Sequence, residues 1–479
     1  MFVKLFSTPN HYYCLDVNKD EFLELSFASY QYLAQILNGE EVKTMPPEEI
    51  LDLKKAGYLS EKSNVKKVKH AITDYLEEFL ERKLSRIILQ VTQNCNLRCK
   101  YCIYSEEHSI MQRSHSSKNM SWETAKAALN FLWEHSVDSS SINVGFYGGE
   151  PLLQMPLIKQ VIEYSKKLFK GKKLTFNMTT NGTLLDEEKI LYLQEEEISL
   201  MISLDGPKEI NDMNRVFVNG TGTYDTVMKK IELMREIAPE YAKELSISMV
   251  IDPQNDFDCI NSICLGKNDV DKLNILPSIV DKGYDGEKTV SSDMYRWKSR
   301  YEGFLAILSY LGRYEKEKVS PIALASINSE IERRFEVETS RLFEVDTPSG
   351  PCIAGQMRLF CNVEGLLFPC ERVSENSKAM CLGTLDSGFN IDNAKQLLNV
   401  GALTSDACKE CWCFRYCMLC CKKADSGQGT LDAAVKLSYC SESKGNAYHK
   451  LMLYLLLKEI NVDYLPQMRY RVQKGEDIV

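Results

Sequence analysis

The stretch that decides the fold expected of this chain is Thr92-Gln93-Asn94-Cys95-Asn96-Leu97-Arg98-Cys99-Lys100-Tyr101-Cys102. It follows the run Ile87–Thr92, which has the composition of a buried strand, and it spaces three cysteines as Cys-x3-Cys-x2-Cys. Three thiolates on one tight loop can hold three corners of a 4Fe–4S cube and leave the fourth iron open. A four-cysteine zinc site would need another thiolate nearby, and the next cysteine is Cys259. The spacing therefore indicates an iron–sulfur site at the end of a first strand.

Length and composition set broad limits on the protein. The 479 residues, 44% hydrophobic and 26% charged, predict two to four domains with ample core and exclude a disordered or fibrous chain. The net charge of −9 argues against a nucleic-acid partner or an anionic membrane surface. Met1–Asn10 lacks a targeting pattern, and the apolar cluster Leu451–Leu457 is far shorter than the ~20 residues of a membrane span. We therefore expect a cytoplasmic protein whose 17 cysteines serve metal ligation or redox chemistry.

The first part of the chain has a pattern of its own. Strands are predicted at Phe2–Phe6 and Tyr12–Asp16, followed by the helical run Phe27–Leu37 and a second helix that ends near Gly57. Strands followed by short helices predict a winged-helix-like module over residues 1–70. A simple N-terminal cap on the main domain is the alternative.

A linking helix over residues 71–85 leads into a repeated strand, loop and helix pattern over residues 86–293. The six strands are predicted at Ile87–Thr92, Ile142–Tyr147, Leu174–Thr179, Ile198–Leu204, Leu245–Ile251 and Lys272–Ile279. Amphipathic helices are clearest at Trp122–Glu134, Leu152–Phe169 and Tyr224–Ile237, with Ser121 and Thr223 as the N-caps of the first and third. This order predicts an α/β fold of parallel βα units, as a doubly wound sheet or an incomplete barrel, with its chemistry at the carboxyl ends of the strands.

The remaining chain divides by composition. Residues 294–346 are predicted to form a helical connector, and residues 446–479 a C-terminal helix and tail. Residues 347–445, between them, are predicted to be irregular and are rich in cysteine. The cysteine-rich part is a separate domain that bound metal could stabilise.

The motifs of the βα region resemble those of the radical S-adenosylmethionine (AdoMet, SAM) superfamily. The three-cysteine loop has that family's aromatic residue before its last cysteine, and Gly148-Gly149-Glu150-Pro151 resembles its Gly-Gly-Glu motif. The segments Asn177–Gly182 and Ser203–Pro207 follow the third and fourth strands as in the family. The resemblance implies a partial (β/α)6 TIM-type barrel that holds one 4Fe–4S cluster on Cys95, Cys99 and Cys102. AdoMet would be bound by Tyr101, Gly148, Gly149, Glu150, Thr180, Asn181, Ser203, Asp205 and Arg215.

Each of the smaller motifs also has an ordinary structural explanation. Gly148-Gly149, Asn181-Gly182 and Asp205-Gly206 are common turn dipeptides, and Arg215 could be an exposed residue beside a helix. Their order after successive strands, behind the three-cysteine loop, favours the cofactor interpretation.

The distal cysteines resemble the SPASM domain of radical AdoMet peptide-modifying enzymes, which carries two auxiliary 4Fe–4S clusters. Carried over position by position, the resemblance implies an outer cluster and an inner cluster, which gives three clusters in all. The outer ligands would be Cys408, Cys411, Cys417 and Cys440, and the inner ligands Cys352, Cys370 and Cys421.

The fourth inner ligand is open at this point. Cys361, in a predicted hairpin between the first two inner ligands, could complete the set or merely pack, and a packed Cys361 would leave an iron for a substrate thiolate. We predict ligation by Cys361. Packed or exposed free thiols are predicted at Cys413 and Cys420, and at Cys14, Cys259, Cys264 and Cys381.

The resemblance also implies a function. Reductive cleavage of AdoMet, with an electron from an external donor such as flavodoxin or ferredoxin, would give a radical that abstracts hydrogen from the substrate. Residues 1–70 resemble the winged-helix element that binds the leader of a ribosomally made precursor peptide by pairing with a strand edge. The prediction is a maturase of the sactipeptide and ranthipeptide type, which forms thioether bonds in a Cys-rich precursor peptide. Glu371, directly after Cys370, is a candidate catalytic base or substrate contact, or otherwise a surface acid.

Other functions fit the same motifs. Anaerobic sulfatase maturases, which oxidise a cysteine or serine to formylglycine, share the barrel and the SPASM pattern. Peptide epimerases and carbon–carbon cross-linking enzymes share the architecture and differ in how the substrate radical is quenched. A noncatalytic redox or peptide-binding protein is the alternative from a different class.

Overall fold

The computed structural model describes residues 1–104, 113, 115–265, 274–281, 289–327 and 341–460. The first two residues of the predicted strand Lys272–Ile279, part of the predicted connector and the predicted C-terminal tail lie outside the described residues. None of the described helices is long and apolar enough to cross a membrane.

An antiparallel sheet forms the N-terminal unit. Its strands are β1 (Val3–Ser7), β2 (Tyr12–Asp16) and β3 (Glu21–Leu25), in the spatial order β1-β2-β3. The third strand was missing from the sequence prediction. A short strand, β4 (Lys67–Val68), follows the two helices of this unit.

The N-terminal sheet has two buried faces. One face builds a local core with the first helices of the chain, from Cys14, Leu25, Leu33 and Ile50 among others. The other face packs onto the last described helix, Cys440–Glu459, and onto the segment 408–416. This second core contains Phe6, Tyr13, Leu15, Phe414, Leu451 and Leu455. The first and last elements of the described chain therefore share one core.

Six parallel strands form the centre of the molecule in the order of the sequence. They are β5 (Arg86–Thr92), β6 (Ser141–Gly148), β7 (Lys173–Thr180), β8 (Ile198–Ser203), β9 (Ser246–Ile251) and β10 (Asn274–Ile279). Sequential parallel order, with crossover helices between the strands, is the arrangement of a (β/α) barrel that has not closed. The α/β fold class and the partial barrel predicted from the sequence are thus confirmed.

The two faces of this curved sheet differ in chemistry. Side chains at alternate positions, such as Leu89, Val144 and Ile202, are buried against the surrounding helices. Most of the intervening positions are polar or small and half-buried or exposed, although Ile88 and Gln90 of β5 are buried. This polar concave face includes Asn143, Tyr147, Thr175, Asn177, Ser199, Ser203, Ser246 and Ser248.

The sheet continues into the C-terminal part of the chain. After β11 (Val345–Asp346), strand β12 (Leu359–Cys361) lies parallel to β5, with Cys361 opposite Leu89. The hairpin continues with β13 (Leu366–Phe368), β14 (Gly383–Thr384) and β15 (Gly388–Phe389), which completes a sheet of ten strands. The predicted hairpin around Cys361 is present, and it is hydrogen-bonded to the strand that leads into the three-cysteine loop.

The α-helices whose bounds lie within the described residues are Phe27–Leu37, Glu48–Lys55, Leu76–Arg82, Trp122–Glu134, Met155–Leu168, Glu187–Glu195, Lys208–Asn214, Tyr224–Ile237, Pro239–Lys243, Phe257–Leu265, Asp293–Tyr310, Ile391–Leu398, Ser405–Lys409, Ala433–Ser438 and Cys440–Glu459. Ser121 caps its helix as predicted, because its hydroxyl accepts from the Thr124 amide at 3.0 Å. Thr223 does not cap through its side chain. Asp212 does so instead, since its Oδ1 accepts from the amides of Thr223 and Tyr224 at 2.8 and 2.9 Å.

Candidate functional site

The three-cysteine loop and the Gly-Gly-Glu segment are held together by their backbones. The Gly149 amide donates to the Thr92 carbonyl and the Glu150 amide to the Asn94 carbonyl, both at 2.9 Å. A Cβ at Gly148 would lie 2.2 Å from the Thr92 oxygen, and one at Gly149 would lie 2.2 Å from the Asn94 oxygen. Only glycine allows this approach, so these two positions shape the loop that carries Cys95.

Glu150 is fully buried between the ends of two strands. Its carboxylate accepts from the Thr180 hydroxyl at 2.6 Å, the Asn181 amide at 2.7 Å and the Leu152 amide at 3.0 Å. Burial raises the pKa of Glu150 although these hydrogen bonds oppose it. The carboxylate therefore ties the second strand of the barrel to the third at their carboxyl ends.

Asn181 connects the third strand to the cysteine loop. Its side-chain nitrogen Nδ2 lies 2.9 Å from Asn96 Oδ1 and 3.9 Å from Cys95 Sγ. Its oxygen accepts from the Thr183 amide and hydroxyl at 3.0 and 2.7 Å, and Asn96 donates to that same hydroxyl. Asn181 thus orients the loop around the first cysteine.

A buried polar group lies on the other side of the loop. Arg215 donates to the Tyr101 hydroxyl at 2.7 Å, and that hydroxyl donates to Asp205 Oδ2 at 2.5 Å. Arg215 is 8% exposed and Asp205 is 1% exposed, so the possibility that Arg215 is a solvated residue is ruled out. This places a buried guanidinium within electrostatic reach of Cys99, where it opposes the rise in pKa that burial causes.

The three thiols of the loop lie within electrostatic reach of one another. Burial raises the pKa of Cys95 to about 12, and the charges of Cys102 and Cys99 add to that rise. Burial likewise raises the pKa of Cys102 to about 11, with a contribution from Cys99. Buried thiols of this kind become good ligands when a bound cation stabilises the thiolate form. Their proximity on one loop fits a cluster held by three thiolates.

Four of the distal thiols lie within electrostatic reach of one another and are called the outer group here. They are Cys408, Cys411, Cys417 and Cys440. Burial raises the pKa of Cys411 and of Cys440, and in both cases Cys408 and Cys417 add to the rise. Ser443 donates to Cys417 Sγ at 3.7 Å. The buried thiol of Cys413 lies beside this group and donates to the Ser443 carbonyl at 3.9 Å.

An inner group contains Cys352, Cys370, Cys421 and, as its fourth member, Cys420. Cys420, Cys370 and Cys352 all act on Cys421 and raise its pKa, while the hydrogen bond between the neighbours Cys421 and Cys420 lowers the pKa of Cys420. The backbones also touch, because a Cβ at Gly350 would lie 2.5 Å from the Leu419 carbonyl oxygen. The segment that leads to Cys352 therefore lies directly against the one that leads to Cys420.

The structure does not bring Cys361 to the inner group. Cys361 pairs in register with Leu89 and shares its face of the sheet, the one packed against the helices. Its thiol is fully buried, contacts the Asn362 carbonyl at 3.6 Å, and has its pKa raised to about 12 by burial alone. The expectation that Cys361 is the fourth inner thiol is corrected on this ground, and Cys420 takes that place.

Glu371 is not a surface acid, because its side chain is 8% exposed. One oxygen pairs with Arg358, and the other, Oε2, has no hydrogen-bond partner among the described residues. The carboxylate also acts on the neighbouring thiol of Cys370. A buried oxygen without a donor is costly to maintain.

One residue beside the site was missed by sequence reasoning. Arg113 is fully buried, donates to the Glu371 carbonyl at 2.7 Å and lies 4.4 Å from the centre of the Phe360 ring. It also lies within electrostatic reach of Cys102 and Tyr147, and it opposes the rise in their pKa that burial causes. Arg113 therefore links the first thiol loop to the segment after Cys370. No local pattern marks it, because its partners are distant in sequence.

A cavity of about 670 Å³ reaches the inner group from the side of the last helix. Cys420, Lys423 and Tyr439 line it, together with Ile279 at the carboxyl end of β10. Among the described residues, no three His, Cys, Asp or Glu side chains converge as ligands of one metal ion would.

The fold and this arrangement of thiols define a class. Residues 89–263 match the sequence profile of the Radical SAM superfamily. This part of the chain is a radical SAM domain, the catalytic domain of a superfamily of enzymes.

The chain is also homologous to the anaerobic sulfatase-maturating enzymes. It is 24% identical over 407 residues to the cysteine-type enzyme of Clostridium perfringens, covering 79% of this chain and 98% of that one. It is 34% identical over 145 residues to an uncharacterized protein of Methanocaldococcus jannaschii, covering 30% of this chain and 46% of the relative, less than half of its length.

A solved structure shares the architecture. The structure described as native anSMEcpe with bound AdoMet and Cp18Cys peptide superimposes with a TM-score of 0.59 at 20% identity, covering 79% of this chain and 99% of that one. The similarity supports the partial barrel followed by a cysteine-rich C-terminal domain.

Proposed function

We propose that this protein is a radical SAM enzyme that forms thioether bonds between cysteine sulfurs and carbon atoms of a ribosomally made, Cys-rich precursor peptide. The observation that carries the proposal is the accessibility of the inner thiol group. Cys352 is exposed, and Cys420 lines the 670 Å³ cavity. A substrate that brings its own sulfur needs such an approach to an auxiliary site.

We assign one 4Fe–4S cluster to each of the three thiol groups. Bound on the loop of Cys95, Cys99 and Cys102, a cluster together with AdoMet supplies a 5′-deoxyadenosyl radical that removes a hydrogen atom from carbon. The protein's own residues position the reactants. The proposed contacts to AdoMet are Tyr101, Gly148, Gly149, Glu150, Thr180, Asn181, Ser203, Asp205 and Arg215.

The buried guanidinium of Arg215 is suited to a carboxylate. It is held by the Tyr101 hydroxyl and lies 3.8 Å from Asp205 Oδ1. Because it is almost completely shielded from water, an ionic contact there would be strong. We assign it to the carboxylate of AdoMet.

Thioether formation would balance with AdoMet as the oxidant and an auxiliary cluster as the electron acceptor. The substrate carbon would lose one hydrogen atom to the deoxyadenosyl radical, the cysteine thiol would lose a proton, and an auxiliary cluster would accept the one electron left over. The carbon–sulfur bond forms, and the product is lighter by two hydrogen atoms. Glu371 Oε2, which lacks a donor, is the proposed acceptor of the thiol proton.

Formylglycine formation is the second candidate. It is favoured by the match to the Clostridium perfringens enzyme over 98% of that enzyme's length. The neighbouring possibilities of epimerisation and carbon–carbon cross-linking would use the same thiol loop.

The reaction products separate these candidates. The reconstituted protein is incubated anaerobically with AdoMet and a chemical reductant, with a Cys-rich peptide encoded beside its gene or with a sulfatase fragment. Thioether formation removes two hydrogens and leaves the cysteine unreactive to iodoacetamide. Formylglycine formation removes the sulfur and leaves an aldehyde that reacts with a hydrazide. Loss of the sulfur from either substrate would contradict the thioether proposal.

Residues 1–70 are proposed to bind the leader of the precursor. Strand β3 lies at the edge of the N-terminal sheet and pairs only with β2 among the described strands. A peptide strand could therefore extend the sheet there. Hydrogen–deuterium exchange with the precursor should slow exchange of the β3 amides and leave those of β1 unchanged. Equal exchange at β3 with and without the peptide would reject this proposal.

The reaction needs electrons and a reducing setting. We propose an external one-electron donor such as flavodoxin or ferredoxin, and a cytoplasmic location that keeps the thiols reduced.

A further inference from the structure

Among the described lysines, Lys436 alone is fully buried, at 2% exposure. It lies in the short helix Ala433–Ser438, which is capped by Asp432 through a bond from the Val435 amide at 2.8 Å. The cap fixes the turn from which the lysine extends. A buried ammonium group is rare and needs a partner.

The partners of Lys436 belong to the outer thiol group. Its Nζ donates to the Thr404 hydroxyl at 2.6 Å and lies 3.5 Å from Cys408 Sγ. Thr404 Oγ1 is itself 3.2 Å from that sulfur. Lys436 also acts on Cys440, where its charge opposes the rise in pKa that burial causes.

Among the described residues, Lys436 lacks the carboxylate partner that a buried ammonium group usually has. Within the part of the chain that the structure describes, Lys436 forms no ion pair with Asp or Glu at 4.0 Å or less. Burying an ammonium group without a counter-charge is strongly unfavourable. The groups beside this cation that can carry a negative charge are the sulfurs of the outer group.

We propose that Lys436 is a positioning residue that raises the reduction potential of the outer cluster. This inference rests on the proposed function, which places a cluster on Cys408, Cys411, Cys417 and Cys440. Reduction adds one negative charge to a cluster, and a buried cation beside its sulfurs stabilises the reduced form more than the oxidised form. The hydrogen bond from Nζ to sulfur acts in the same direction. The outer site thereby becomes the favoured place for an electron that leaves the substrate.

The test uses the full chain with Cys95, Cys99 and Cys102 replaced by Ala, so that only the two auxiliary sites can hold iron. In this background we compare Lys436→Met, which removes the charge at similar length, with Lys436→Arg, which keeps it. Lys409→Met is the matched control, because Lys409 follows Cys408 directly but is paired with Asp406 at 3.1 Å. Iron content and redox titrations followed by electron paramagnetic resonance are measured for each.

We expect about eight irons in the background and two reduction steps. Lys436→Met should lower the ratio of reduced to oxidised cluster in one step by about tenfold at fixed potential, about 59 mV for one electron. Lys436→Arg and Lys409→Met should leave both steps in place. The inference would be overturned if neither reduction step moved in Lys436→Met. It would also be overturned if Lys436→Arg and Lys409→Met shifted a step by the same amount as Lys436→Met.

Loss of iron is also decisive. If Lys436→Met retains about four irons while Lys436→Arg retains about eight, the charge is needed to hold the anionic cluster, which supports the inference. If both variants lose iron equally, the site needs the shape of lysine and not its charge, and the inference fails. Fewer than about eight irons in the background itself would instead remove the three-cluster assignment on which the proposed function stands.

Discussion

At the scale of single residues, the two cysteines Cys361 and Cys420 exchange the roles expected of them. Cys361 belongs to a strand, and alternation along that strand turns its thiol toward the helices. The pattern Leu359-Phe360-Cys361 carries this signal, since Cys361 repeats the apolar position of Leu359. Cys420 gave no signal, because adjacent cysteines in an irregular loop have no periodicity that tells which one faces its neighbours.

Iron content tests this exchange. Cys361→Ala should keep the full complement of about twelve irons and cost about 1 kcal/mol of stability, because it removes one buried sulfur. Cys420→Ala should lower the iron content, since it removes a thiol from the inner group. Inductively coupled plasma analysis of protein reconstituted side by side gives both values. Iron loss in Cys361→Ala alone would restore the earlier assignment.

The glycines of the Gly-Gly-Glu segment allow a second test. Gly149→Ala would drive a Cβ to 2.2 Å from a backbone oxygen that cannot move without the cysteine loop. We expect at least a tenfold loss of AdoMet cleavage, measured as 5′-deoxyadenosine released. Gly303→Ala is the control, because nothing lies within 4 Å of the added methyl group in the helix Asp293–Tyr310. Unchanged cleavage in Gly149→Ala would contradict this account of the loop.

At the scale of elements, the barrel was predictable and its attachments were not. The strands of the barrel were found to within about two residues, because their alternation and the spacing of the helices are local signals. Strand β3 was missed although the turn Asn18-Lys19-Asp20 separates two apolar runs, with Asp20 at a φ of +57°. The pairing of β12 with β5 could not be predicted, since the partners are more than 250 residues apart.

The shared core of the N-terminal sheet supports a prediction of its own. Phe6 is fully buried and stacks on Tyr448 at 5.0 Å, beside Trp412 of the outer thiol loop. Phe6→Ala should lower the free energy of unfolding by about 3–5 kcal/mol and reduce iron at the outer group. Leu33→Ala, in the local core of the same sheet, should cost a similar amount and leave the iron content unchanged. Urea denaturation and iron analysis of both variants check this. An equal iron content in Phe6→Ala and Leu33→Ala would show that the outer group does not depend on the shared core.

At the scale of the whole molecule, three thiol groups share one framework. The barrel carries the first, the hairpin bonded to β5 leads to Cys370 of the inner group, and the loop under the N-terminal sheet carries the outer group. Composition alone suggested separate units at either end of the barrel. The N-terminal sheet and the last described helix share one core.

Replacing Cys95, Cys99 and Cys102 together with Ala should therefore affect only the barrel site. We expect loss of AdoMet cleavage with about eight of twelve irons retained, because the distal groups do not use this loop. Chromatography of 5′-deoxyadenosine and iron analysis provide the measurement. Retained cleavage would refute the role of the loop, and a fall to no iron would show that the three sites assemble cooperatively.

The shared core of the first and last elements also bears on the order in which the chain folds. During synthesis the sheet of β1, β2 and β3 emerges first, yet one of its apolar faces is covered only when the helix Cys440–Glu459 has been made. Contacts between such distant segments slow folding, and the bare face is prone to aggregate in the meantime. Nascent chains are therefore expected to depend on chaperones until the helix Cys440–Glu459 has left the ribosome.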